Sequence, residues 1–127
     1  MSRRAIAAAD APPSKGGYVQ ALEVRGESRT LYISGQVPVA SDGSVPDGFE
    51  AQAHLAWANL RAQLRAADMD LENLVKVTIY LADRAYGLPS RLVRNQVLGE
   101  IEIAQTVIIA GIFDSAWLLE IEAVAMA

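Results

Sequence analysis

A chain of 127 residues, 52% of them hydrophobic and none of them cysteine, can close a single core without staples; disulfide frameworks, thiolate metal sites and thiol nucleophiles are excluded. A formal charge of −4, with the eleven Lys and Arg scattered rather than clustered, makes nucleic acid a poor partner on electrostatic grounds. No apolar run approaches the roughly 20 residues that span a bilayer, so a membrane role has no support and a cytoplasmic location is the expectation.

Met1-Ser2-Arg3-Arg4 imitates the charged start of a signal peptide, but Asp10 and Pro12-Pro13 interrupt it before an apolar run forms. Residues 1–14 read as a frayed terminus of a single domain over residues 1–127. Tyr18–Val24 and Thr30–Val37 are β-rich runs joined by a Gly-containing polar connection, which predicts an antiparallel hairpin. The polar run from Ala40 to Gly48 is a loop, with Asp47 three residues before Glu50 as a candidate helix cap. From Phe49 onward, Phe49, Ala53, Ala56, Trp57, Leu60, Leu64 and Ala67 recur at three- and four-residue intervals, the mark of a long amphipathic helix. Gln52, Asn59, Arg61 and Gln63 fall elsewhere on its wheel.

Leu74–Ala82 is a nearly continuous apolar, β-branched run and predicts a central strand. A second helix starts near Pro89, carries Leu92, Val93, Val97 and Leu98, and ends at Gly99. Gln105–Ile112 and Trp117–Met126 are the last two strands, predicted to pair as a hairpin. The order is β-β-α-β-α-β-β, and an α+β fold with both helices on one face of a single sheet is the simplest solution. On the last strand Leu119, Ile121, Ala123 and Ala125 share the face toward the helices. Leu118, Glu120, Glu122 and Val124 share the other, which is too apolar for ordinary solvated surface and suggests that oligomerisation covers it.

Several residues carry plain structural readings. His54, the only histidine, lies among polar neighbours on the first helix, and no metal cluster assembles around it. Ser34 has no histidine partner in any triad pattern. Arg91 and Arg94 read as solvated, Trp57 and Trp117 as core or interface aromatics, and Glu122 as a structural carboxylate roughly 7 Å along the strand from Glu120.

The segments PPSKGGYVQALEV, YISGQVPV, EAQAHLAWANLRAQLRAA, LVKVTIYLAD and LLEIEAVA, in that order, resemble the RidA/YjgF family of reactive-intermediate deaminases over nearly the whole chain. The resemblance implies a chorismate-mutase-like α+β fold and a homotrimer with three clefts between subunits. In these clefts small imines and enamines are hydrolysed to a keto acid and ammonia, without cofactor or metal. The matching site positions are Tyr18, Ser34-Gly35-Gln36 and Glu120. Glu120 would orient or deprotonate the attacking water, and Tyr18, Ser34 and Gly35 would line the cleft.

The family's carboxylate-clamping arginine is missing. Its motif here reads Ile103-Ala104-Gln105-Thr106, so a neutral amide stands where a cationic fork belongs. The loop before it, Gly99–Ala104, is shorter than the family's, and Phe113-Asp114 stands where Leu-Pro is common. Gln105 becomes a substrate-binding candidate, and Arg91 or Arg94 a candidate replacement clamp if the second helix borders the cleft. Three functions follow: hydrolysis of a small imine, enamine or related carbonyl compound that is not a simple 2-imino acid; a non-catalytic ligand-binding or regulatory trimer; or an ordinary 2-iminobutanoate/2-iminopropanoate deaminase with a substitute clamp. Glu120 is the candidate catalytic residue. Gln105, Tyr18, Ser34, Gly35 and Arg91 are the candidate substrate contacts.

Overall fold

The computed structural model describes residues 2–14, 16–26 and 28–127. In chain order it contains β1 (Ser2–Ile6), β2 (Ala21–Arg25), β3 (Thr30–Gln36), α1 (Phe49–Ala66), β4 (Leu74–Leu81), α2 (Gly87–Leu98), β5 (Ala104–Ile109) and β6 (Leu119–Met126). This is the expected α+β class, with one strand more than the sequence suggests. Residues 2–6, expected to fray, pair antiparallel with β2, and the Arg3 guanidinium reaches the backbone carbonyls of Glu72, Leu74 and Glu102.

Strand pairing departs from expectation in three ways. β1 and β2 form a two-stranded sheet apart from the four-stranded sheet β3-β6-β4-β5, so there are two sheets where one was predicted. β2 does not pair with β3; the predicted hairpin is replaced by β1·β2 and by β3·β6, with Arg29 and Ala127 exchanging backbone bonds of 2.9 and 3.1 Å where β3 begins. β5 and β6 are not a hairpin either. β5 lies parallel to β4 through the α2 crossover, and β6 slots antiparallel between β3 and β4. Alternation fixes which face a strand buries, but two neighbouring apolar strands carry no local mark that names their partners.

Both helices cover one face of the four-stranded sheet. Val77, Ile79 and Leu81 of β4 and Leu119, Ile121, Ala123 and Ala125 of β6 are buried against Ala53, Ala56, Trp57, Leu60 and Leu64 of α1 and Val93 and Leu98 of α2. The expected division of β6 into two faces is observed residue by residue. The residue at the N-cap of α1 is Gly48, with φ 87°, and not Asp47. Gln52, assigned to the outer wheel, is buried: its Nε2 donates to the carbonyls of Pro46 and Ala116 at 3.0 Å each, and its Oε1 accepts from the Leu118 amide at 2.8 Å. Leu92, one of the four apolar residues noted on the second helix, is exposed, while Ser90 and Arg94 are buried. Among the described residues no helix is long and apolar enough to cross a membrane.

Candidate functional site

Two sets of polar residues sit on opposite faces of the four-stranded sheet. The first is on the open face, away from the helices. Between Ile33 and Gln36 the register of β3 against β6 slips by one residue, placing a β-bulge at Ser34-Gly35. A Cβ at Gly35 would lie 1.7 Å from Glu120 Oε2, so the absence of a side chain there is what lets the Glu120 carboxylate lie across the bulge. Tyr80 is the cross-strand partner of Glu120, and its hydroxyl donates to Glu122 Oε1. That bond, then burial, raises the Tyr80 phenol above its ordinary value and keeps it a donor.

The two carboxylates are thereby distinguished. Glu122 is held by Tyr80, whereas among the described residues no side chain or backbone amide donates to the Glu120 carboxylate. Gly35, Tyr80, Gly111, Glu120 and Glu122 line one open pocket. Ser34 is exposed and borders a separate depression with Tyr32 and Gln36.

The second set lies on the helix side, between α2 and β5. Gln105 is the register partner of Val77 and shares its face, under α2. Tyr18 is brought there because the backbone at Val19 bridges to the start of β5, its amide bonding the Ile103 carbonyl at 3.1 Å. Tyr18, Ser90, Arg91, Arg94, Gln105 and Val107 line a cavity of about 320 Å³.

At its base lies Arg94, a residue only 3% exposed, whose guanidinium donates from Nη1 to Gln105 Oε1 at 2.9 Å and from Nη2 to the Gly16 carbonyl and Asn95 Oδ1 at 2.9 Å each. Burial first, and the neighbouring Arg91 charge second, push this guanidinium down from its ordinary value; Tyr18 acts in the opposite direction. Arg94 was read as solvated. It is buried because it lies four residues after Ser90 and four before Leu98, on the inward stripe of α2, a spacing visible in the sequence. Among the described residues no group of three or more His, Asp or Glu side chains is arranged to hold a metal ion.

The sequence pattern of the family described as Endoribonuclease L-PSP matches residues 8–127. The chain belongs to this family, the RidA/YjgF proteins. A rat 2-iminobutanoate/2-iminopropanoate deaminase is 33% identical over 127 residues, covering 98% of this chain and 90% of that one. The mouse deaminase is 43% identical over 83 residues, 64% of this chain but only 59% of its own length. A solved Yersinia pestis protein of the conserved Rid family superposes with a TM-score of 0.87 at 28% identity, each chain covered in full.

Within the RidA/YjgF frame, the candidate residues divide. Glu120 and Gly35 come together on the open face, Gln105, Tyr18 and Arg91 come together under α2, and Ser34 joins neither pocket. The residue that the sequence motifs undervalue is Arg94, whose cation stands against Gln105, the candidate expected to take the place of the family's arginine.

Proposed function

We propose that this protein hydrolyses a small imine or enamine to the corresponding carbonyl compound and ammonia, in a cleft completed by further copies of the chain arranged as a homotrimer. The observation that carries the reading is the Glu120 carboxylate, without a donor among the described residues and laid over the bulge at Gly35. An acceptor so placed is suited to a water molecule. Glu120 takes a proton as the water oxygen bonds to the imine carbon, and the C=N π pair moves to nitrogen. Glu120 passes that proton to the nitrogen, giving the carbinolamine, whose hydroxyl proton then moves through Glu120 to the same nitrogen as the C–N bond breaks, giving C=O and NH₃. One water is consumed and no redox partner is needed.

Oligomerisation is supported by two features. Glu120 and the Arg94–Gln105 pair lie on opposite faces of the sheet in one chain, so a cleft holding both draws on more than one copy. The open face also presents Tyr32 at 79% and Ile108 at 40% exposure, apolar surface that a second sheet would cover. The substrate is a compound other than a simple 2-imino acid. A second reading, the 2-imino-acid deaminase with a substitute clamp, is favoured by the Arg94–Gln105 hydrogen bond, which puts a cation beside the position where the family's arginine is absent.

Hydrolysis of imines generated in situ, followed as ammonia released, tests the reading with the wild-type chain beside Glu120→Gln. Turnover should fall at least 100-fold in the variant. Equal turnover by the two proteins would remove Glu120 from the mechanism, and no turnover by either while small ligands still bind would make this a ligand-binding protein and not a hydrolase.

A further inference from the structure

Arg94 is a buried cation with no counter-ion among the described residues. Its three partners at 2.9 Å, Gln105 Oε1, the Gly16 carbonyl and Asn95 Oδ1, are all neutral acceptors, and no carboxylate lies within ion-pair distance among the described residues. Burying a guanidinium on neutral acceptors alone is costly, and an uncompensated charge lining a cavity marks a candidate site for an anion. The surroundings are shaped to hold it. Gly17 has φ +78°, and a Cβ there would stand 2.4 Å from Arg94 Nη2 and 2.8 Å from Asn95 Oδ1, so only glycine leaves room for the guanidinium.

Gln105 must turn its oxygen toward Arg94, because a guanidinium has donors only. Of the five N–H groups, Nη2 spends two and Nη1 one, and Nε makes a longer bond of 3.3 Å to Asn95, which leaves one Nη1 donor uncommitted.

A second cation faces the same space. Arg91 precedes Arg94 by three residues, on the same side of α2, and lines the cavity from its exposed rim. Among the described residues no Asp or Glu lines this cavity. The two guanidinium groups raise each other's cost, as the effect of Arg91 on Arg94 records. One carboxylate on Arg94 would leave Arg91 unneutralised. The volume of about 320 Å³ suits a compact ligand, at the lower end of the roughly 300–1,000 Å³ of small-molecule sites.

We propose that the cavity between α2 and β5 binds a small dianion, one carboxylate on Arg94 at the base and a second on Arg91 at the rim. The imine this protein handles then derives from a dicarboxylic amino acid. The identity of the imine rests on the hydrolase reading above; the dianion site does not. Gln105, Asn95 and Gly17 are positioning residues that act through Arg94.

Titration calorimetry of the intact chain with succinate, propionate and succinamide reads the site without turnover. Succinate should bind at least tenfold more tightly than propionate, and uncharged succinamide should not bind. Arg91→Ala, a change at an exposed position, should weaken succinate to the level of propionate and leave propionate unchanged. Arg94→Gln should abolish both, and Arg94→Lys, which keeps the charge and loses the fork, should fall between, with thermal midpoints confirming that each variant is folded. Equal affinities for succinate and propionate, binding of succinamide, or an Arg91→Ala variant that keeps the preference would each overturn the proposal, as would no binding of any probe. Selective succinate binding without imine turnover would remove the hydrolase reading and leave the dianion site standing. Turnover without dianion preference would do the reverse.

Discussion

The separation of Glu120 from Glu122 depends on one missing Cβ and one phenol. In Gly35→Ala the new methyl collides with the far end of a flexible side chain, so the carboxylate swings away at little cost to the fold. Hydrolysis should drop at least tenfold while the thermal midpoint moves by only a few degrees, a split that activity and melting assays on one preparation would show. At position 105 the expectation runs against simple restoration of the family's residue. Gln105→Arg replaces an acceptor by a second guanidinium against a buried one, so it should destabilise the chain by about 1–3 kcal/mol. Adding Arg94→Gln should recover most of that, a coupling that a double-mutant cycle in urea measures. The glycine and the glutamate were legible as motif positions in the sequence. Arg94 was not, because a lone arginine on a helix is usually solvated, and only its phase with Ser90 and Leu98 betrays its burial.

At the scale of elements, two polar anchors hold the helices to their connections. Gln52 ties the first turns of α1 to the loops at Pro46 and Ala116 and to the entry of β6. Gln52→Leu matches the environment in polarity but strands two carbonyls and an amide, and urea unfolding should show a loss of about 2 kcal/mol. After α1, Asp70 accepts from Arg61 at 2.8 and 3.2 Å and caps the next turn through the Leu71 amide.

Those bonds, Arg61 first, hold the Asp70 carboxyl down to about 2 from an ordinary 3.8. Because the folded value is the lower one, the stabilisation is complete above about pH 4 and is lost as pH falls toward 2. Solvent screening keeps it near 1 kcal/mol or below. Thermal midpoints of wild type and Asp70→Asn should therefore differ at pH 6 and converge near pH 2. The helices were legible in the sequence because a 3.6-residue period is local, down to the exposed His54 and buried Trp57. Strand partners were not, since β5 meets β4 across a whole helix and β6 meets β3 from the far end of the chain.

For the whole molecule, the proposed homotrimer rests on the open sheet face and on the division of the candidate site between two faces. Tyr32, at 79% exposure, is large, aromatic and on the face opposite the helices. Tyr32→Arg should shift sedimentation from trimer toward monomer with little change in far-ultraviolet circular dichroism, and a wild-type chain that sediments as a monomer at micromolar concentration would remove the shared cleft. The measurement closest to the central claim is complementation. Glu120→Gln and Arg94→Gln chains, each inactive alone, are unfolded, mixed and refolded together, and imine hydrolysis is followed. If a cleft draws Glu120 from one copy and Arg94 from another, about a quarter of the clefts in a random mixture recover both side chains, and activity should return to about that fraction of wild type. A mixture as inactive as its parts, from a wild-type chain that is itself active, would contradict a site shared between subunits.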